Sequence, residues 1–161
     1  MRKIDPLVPF YFDLAISGQE SSPPVVFKEV SGISMEMNTE DIVKGGQNRF
    51  QDSVPTSAKF SNLILKRGLM PQNSGIAMWC SESFSARLDA AIKTNSITVR
   101  LLNGNGNPLK SWLFVNSWPI KWAVSEFDSM NNEMVIDHIE FSYSYFNRLN
   151  AAGDLPNNFN L

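Results

Sequence analysis

Lys59-Phe60-Ser61-Asn62-Leu63-Ile64-Leu65-Lys66-Arg67-Gly68-Leu69 is the stretch whose reading decides the fold. Phe60 to Leu65 is a near-continuous apolar strand, and Gly68 punctuates its end. Phe27-Lys28-Glu29-Val30-Ser31-Gly32 and Ser117-Trp118-Pro119-Ile120-Lys121-Trp122 repeat the pattern of apolar strand edged by a turn signal. None of the three carries chemistry. They predict a β-built domain.

Working outward, Phe10, Phe12, Leu14 and Ile16 alternate with Tyr11, Asp13, Ala15 and Ser17, the period of a half-buried strand. Residues 18–24 read as a turn, since the paired prolines Pro23 and Pro24 cannot sit inside a central strand. A second strand covers residues 25–38, with Gly32 as a bulge or bend. Residues 40–57 are polar, contain Gly45-Gly46, and read as a loop of about 18 residues, beyond the usual limit of about 12–15. Such loops are functional or disordered.

One helix is expected over residues 74–93. Ile76, Trp79, Cys80, Phe84, Leu88, Ala91 and Ile92 recur at spacings of three and four, with Ser81, Glu82, Ser85 and Asp89 on the opposite face. Asn73 or Ser74 would cap its start and Asn95 would stop it. Residues 97–102 and 109–115 form a hairpin around Asn103-Gly104-Asn105-Gly106-Asn107, whose residues tolerate positive φ. Further strands cover residues 118–124 and 133–146, the latter placing Val135, Ile139, Phe141, Tyr143 and Tyr145 on one face. An Asn-rich tail occupies residues 147–161. The prediction is a mainly β domain, a small barrel or sandwich of about seven strands with one amphipathic helix.

Bulk properties narrow the function. The chain has 161 residues, 43% of them hydrophobic, enough for one domain with a sizeable core. Fourteen basic residues against sixteen acidic ones give a net charge of −2, which predicts no general affinity for nucleic acid or anionic membrane. A single cysteine, Cys80, forms no intramolecular disulfide. No apolar run approaches the roughly 20 residues that span a bilayer, and the start lacks the apolar core of a secretory signal. The expectation is a subunit made and folded in a bacterial cytoplasm, without stable membrane insertion.

Each candidate for chemistry has a plainer reading. His138 lies between Asp137 and Ile139, and neighbours on a strand point to opposite faces, so Asp137 and His138 cannot share a metal. His138 and Glu140 do share a face, but two groups fall short of a zinc site. Cys80 on the helix stripe behaves as a small hydrophobe. Gly104 and Gly106 lead into a strand and not into the helix that would hold a phosphate. Trp112, Phe114, Trp118 and Trp122 could stack nucleic-acid bases, with Lys110 and Lys121 nearby, yet their strand spacing fits a core stripe better. No catalytic residue, cofactor or metal ligand is expected. What remains is the management of strand edges, since strands 60–65 and 133–146 lack a blunting proline and shared edges would let subunits extend one sheet into the next.

The ordered set resembles the contractile-tail tube family: T4-type phage tail tube subunits and inner-tube proteins of bacterial contractile injection systems. Its pieces are Phe10-Tyr11-Phe12, Phe27–Gly32, Gly45-Gly46, Lys59–Leu69, Ile97–Leu102 with Gly106-Asn107-Pro108, Ser117–Trp122 and Asn132-Glu133-Met134-Val135-Ile136. They span residues 9–146 in order, with segment 1–8 before them. The resemblance implies a tail-tube barrel assembling into stacked hexameric rings with a hollow lumen. The partners it implies are further copies of itself, a surrounding sheath, baseplate or spike proteins, and cargo or DNA in the lumen. The loop at 40–57 corresponds to an arm that reaches neighbouring subunits. Residues 47–58 and the segment after Phe146 depart most from the family, and both would meet the next ring, so a tube-initiating adaptor ring stays open as the alternative. A nucleic-acid-binding barrel is the reading from another class. Ile42, Lys44, Arg49, Phe50, Asp52, Val54, Lys66, Arg67, Arg148 and Phe159 are the expected subunit-interface residues.

Overall fold

The computed structural model describes residues 9–19, 23–43, 51–86, 91–128, 130 and 132–150. In chain order the elements are β1 (Tyr11–Ile16), β2 (Val25–Ser31), β3 (Met35–Val43), β4 (Gln51–Phe60), β5 (Leu63–Pro71), α1 (Gly75–Ser85), β6 (Asn95–Leu102), β7 (Pro108–Asp128), β8 (Glu133–Ser142) and β9 (Tyr145–Leu149). Seven strands form one antiparallel sheet in the order β6-β1-β2-β5-β8-β7-β9, and pairing of β6 with β7 closes it into a barrel. β3 and β4 form a separate two-stranded ribbon. The expected β-barrel with one helix is therefore the fold.

The core is the inner face of the barrel. Leu14, Val25, Phe27, Leu63, Leu65, Met70, Ile97, Val99, Phe114, Ile136, Ile139 and Phe141 are fully buried there. Helix α1 plugs this core with Ile76, Ala77, Trp79 and Cys80, and the Trp79 and Phe141 rings stack at 5.6 Å. Ser74 caps the helix, its Oγ accepting from the Ala77 N–H at 3.1 Å. Burial pushes the Cys80 thiol up to about 12, so it stays protonated as a small hydrophobe.

The helix is shorter than its periodicity suggests. Ala86 already has extended backbone, Ile92 is largely exposed, and residues 87–90 lie outside the described residues. Trp79 supplies a reason: its indole Nε1 donates to the Lys93 carbonyl at 3.0 Å, which draws the following chain back against the first half of the helix. Ala91 and Ile92, the described apolar positions after Phe84, thus lie outside the helix.

The stretch 59–69 also differs from expectation at its end. β5 does not stop at Gly68 but runs to Pro71. Its buried positions are Leu63, Leu65, Gly68 and Met70, so the inward parity slips by one residue at Lys66-Arg67. Arg67 makes the slip by adopting a φ of 54°. The neighbours slip in the same row: Lys28 and Glu29 are both exposed on β2, while Ile136 and Ile139 both point inward on β8. This corrects the expected face of the last strand, where Ile136 replaces Val135 in the core and Tyr145 is exposed. Gly68 is required by the slip. A Cβ there would sit 2.4 Å from the Phe27 ring.

Three further boundaries move. Gly32 is not a bulge within one strand but the corner between β2 and β3; its φ is +86° and a Cβ would meet the Asn62 carbonyl oxygen at 1.8 Å. Residues 109–115 and 118–124 belong to one strand, β7, because Asn116 turns through a φ of 52° without ending it. Ser117 is buried in that irregularity, its Oγ donating to the Phe114 carbonyl at 3.1 Å. Residues 133–146 instead divide into β8 and β9 at Tyr143-Ser144, and β9 extends to Leu149, into the expected tail. Between β6 and β7 the expected hairpin is present, with Asn103 Oδ1 accepting from the Asn105 and Asn107 N–H groups at 3.0 Å.

Candidate assembly interface

The polar segment expected as a loop is mostly strand. β3 and β4 pair from Met35↔Phe60 to Val43↔Gln51, with one register shift at Asn38/Thr39, and residues 44–50 lie outside the described residues. The pattern was missed because the segment lacks a buried face: residues 34–41 are all exposed. Its extensive contacts among the described elements are those between its own two strands. Met35 and Met37, 55% and 60% exposed, place two long apolar side chains on one side of it, with Glu36 and Asn38 on the other. A lone two-stranded ribbon is marginal in water.

An aromatic cluster anchors the ribbon's root. Phe60 contacts Tyr143 and Phe146 at ring separations of 6.0 and 5.6 Å, and Phe114 meets Tyr143 edge-on at 4.8 Å. The Tyr143 hydroxyl donates to the Ser61 carbonyl at 2.6 Å, and burial raises its pKa above the ordinary value. Trp112 and Trp122 pack against the core as well, and Phe114 is wholly buried, so these aromatics do not form an open stacking platform.

The barrel's edges are placed otherwise than the sequence suggests. The strand expected over residues 60–65 is split between the end of β4 and the start of β5, and that expected over 133–146 between β8 and β9; β5 and β8 are paired on both sides. β7 is the exception. β8 and β9 follow one another along one of its sides, Ser142 opposite Trp118 and Tyr145 opposite Val115, with register shifts in the β8 part between Pro119 and Glu126. β6 covers its other side only from Pro108 to Ser117. Beyond that point residues 118–128 have no strand partner on that side among the described residues. β2 has the matching gap: β1 pairs only with Val25–Phe27, leaving Lys28–Ser31 without a strand partner on that side among the described residues. At this level the wall is a four-stranded sheet, β2-β5-β8-β7, open at both edges.

The outward face of that wall carries mixed charge. Arg67 Nε lies 3.4 Å from Glu29 Oε1, an exposed pair. Glu140 Oε1 accepts from Asn62 Nδ2 at 3.0 Å and its Oε2 lies 3.3 Å from His138 Nε2. The Asn62 hydrogen bond, followed by that of His138, holds the Glu140 carboxyl below its ordinary value. Across the barrel, nearly buried Asp13 takes a bidentate pair from Arg100, Nε to Oδ1 at 2.8 Å and Nη2 to Oδ2. That pairing raises the Arg100 pKa. Among the described residues no group of three His, Cys, Asp or Glu side chains could hold a metal ion. Among the same residues no helix is long and apolar enough to cross a membrane.

Of the ten residues singled out by sequence, the six that are described lie in three places. Lys66 and Arg67 lie in the middle of the four-stranded wall and not at a strand end, Lys66 standing opposite both Glu29 and His138. Arg148 is exposed on β9, opposite Trp112. Ile42, Asp52 and Val54 lie on the ribbon, Ile42 opposite Asp52 and Val54 opposite Glu40. Lys44, Arg49, Phe50 and Phe159 lie outside the described residues. The β7 edge was missed, although Pro119 and Lys121 within a strand are edge signals. Met35 and Met37, alternating within a polar stretch, were the signal for the ribbon.

The class of fold is a closed antiparallel β-barrel with an added two-stranded ribbon and one helix. The family of T4-like virus tail tube protein gp19 matches residues 8–147, and the chain belongs to this family. Among solved structures, a chain of the anti-feeding prophage baseplate is similar with a TM-score of 0.62 and 20% identity, over 94% of this chain and 99% of that one. A chain of the extended sheath–tube complex of the PVC extracellular contractile injection system gives 0.61 and 21%, over 85% and 86%. A chain of the anti-feeding prophage cap gives the same values. No curated protein matches the sequence.

Proposed function

We propose that this tail tube protein builds the inner tube of a contractile injection particle or phage tail as stacked hexameric rings, and that it catalyses no reaction. The observation that carries the reading is the four-stranded wall open at both edges. Its strands alternate in direction, so β2 of one copy can lie antiparallel to β7 of the next. A head-to-tail contact of this kind closes into a ring. Pro119 and Lys121 on the β7 edge disfavour indiscriminate strand addition, leaving the edge to a matching partner. The closed ring turns the face bearing Lys66, His138, Glu140 and Lys121 to the lumen. That balance of charge suits passage of cargo or DNA without tight binding. The ribbon, with Met35 and Met37 uncovered, reaches the next ring, and Ile42, Asp52 and Val54 travel with it.

A surrounding sheath and baseplate or spike proteins are the further partners, in line with the sheath–tube and baseplate assemblies that hold the similar chains. Assembly in a bacterial cytoplasm completes the proposal. The adaptor ring that joins tube to spike is the second reading, favoured by the match along nearly the whole of a baseplate chain.

Electron microscopy of the purified protein tests the proposal. Tubes are expected from the intact chain. A variant whose ribbon is cut at the paired residues Met35 and Phe60 and bridged by a short turn is expected to give rings that no longer stack. Rings from the intact chain that never stack would select the adaptor reading. A subunit that stays monomeric at high concentration in several buffers would refute both.

A further inference from the structure

The turn between β6 and β7, Asn103-Gly104-Asn105-Gly106-Asn107, contains two Asn-Gly pairs. In such a pair the glycine nitrogen, with no side chain to hinder it, can attack the asparagine side-chain carbonyl carbon and close a succinimide ring. The fold treats the two pairs differently. Asn103 Oδ1 accepts from the Asn105 N–H and the Asn107 N–H, each at 3.0 Å. Two fixed donors on one carbonyl oxygen polarise it and stabilise negative charge that develops there. The nitrogen that would attack this carbonyl, that of Gly104, is exposed and donates no hydrogen bond among the described residues. At the second pair the roles reverse. The Gly106 N–H, the nucleophile for Asn105, is held by the Asn103 main-chain carbonyl at 2.9 Å. Among the described residues no N–H donates to the Asn105 side chain.

We propose that Asn103 is a site of spontaneous modification, deamidated through a succinimide with water as co-reactant, and that Asn105 is spared. The Gly104 nitrogen loses its proton to solvent base and bonds to Asn103 Cγ, and negative charge passes to Oδ1 between its two donors. The Cγ–Nδ2 bond then breaks and ammonia leaves. Water opens the ring at either carbonyl. Attack at Cγ restores the main chain and leaves an aspartate. Attack at the main-chain carbonyl routes the chain through Cβ and Cγ as isoaspartate. Overall, one side-chain amide and one water become one carboxylate and one ammonium ion. The aspartate product keeps the turn, because its carboxylate accepts from the same two N–H groups with the added strength of charge. The isoaspartate product lengthens the hairpin where it is closed by the Asn103 N–H donating to the Asn107 carbonyl at 3.0 Å. Each event adds a negative charge to a chain whose net charge is −2, so a subunit becomes more acidic as it ages.

The test compares the intact chain held folded in warm, mildly alkaline buffer with the same chain held unfolded in urea. Peptide mapping by mass spectrometry reads both sites. In the folded sample Asn103 is expected to convert at least about tenfold faster than Asn105, and in urea the two are expected to convert at similar rates. Conversion at Asn103 should quicken as pH rises, since the attacking nitrogen must be deprotonated. Gly104→Ala hinders that nitrogen, and it adds no left-handed strain because Gly104 does not have positive φ. The variant is expected to slow conversion at Asn103 severalfold and to leave Asn105 as it was. Equal rates at the two sites in the folded sample would overturn the proposal. So would faster reaction at Asn105, or an Asn103 that stays intact while the unfolded chain reacts. The outcome is independent of ring formation, so it leaves the assembly proposed above untouched.

Discussion

Gly68→Ala is expected to destabilise the barrel through a single contact. Gly68 is fully buried in the β5 ladder, and its φ is not in the left-handed region, so an alanine there meets no backbone penalty. Its Cβ would lie 2.4 Å from Phe27 Cε1 and 2.5 Å from Cδ1, where ordinary contact begins near 3.4 Å. Phe27 is wholly buried and has no room to swing away. Overpacking of this kind costs about 1–3 kcal/mol. For a chain of this length that lowers Tm by about 3–10 °C. Phe27→Leu alone leaves a small cavity and costs about 1–2 kcal/mol. In the double variant the leucine gives the new methyl its space. The pair should therefore cost little more than Phe27→Leu alone, with a coupling of about 1–2 kcal/mol. Urea unfolding of the dispersed subunit measures all four corners of the cycle. Costs that add to within about 0.5 kcal/mol would show that Gly68 is not there to admit the Phe27 ring.

Arg100→Met should cost about 2–3 kcal/mol in the same assay, because it strands the Asp13 carboxylate in a buried position. That figure is at the low end for a buried pair since the Arg100 side chain is 42% exposed, and replacing Asp13 with Val in addition should recover part of the loss. The Glu140 carboxyl has a folded pKa below its ordinary 4.5, so its pairing stabilises the fold above that pH and the benefit fades as pH falls through the folded value. Asn62→Ala should thus be less stable than the parent at pH 7, with the gap narrowing below about pH 4.5 in an acid titration followed by circular dichroism. A gap that stays constant to pH 2 would refute the assignment.

Much of the barrel was legible because alternation reports a half-buried strand directly. Leu14 and Ile16 were read to the right face on that basis, and residues 97–102 were read as a strand. The misreadings arise where backbone irregularity overrides alternation. Arg67 and Asn116 take positive φ without being glycine, so the parity slip in β5 and the continuity of β7 leave little trace in composition. The ribbon was hidden for a different reason. Strand pairing held by backbone hydrogen bonds needs no apolar face, and residues 34–41 have none that is covered. The open edges were hardest, since an edge is defined by which neighbour is missing, and that depends on topology. Lys66 and Arg67, read as a strand end, are in the middle of the wall for the same reason.

β7 belongs to two walls at once. Its first half seals the barrel against β6, and its second half forms the margin of the four-stranded sheet. A push on the wall is therefore passed to the barrel through covalent backbone and not through side-chain contacts that can slide. Sheared along its length, such a strand loads many ladder hydrogen bonds together, so none yields alone. A subunit built this way resists bending and torsion as a single member, which is the mechanical property that the tube proposed above requires.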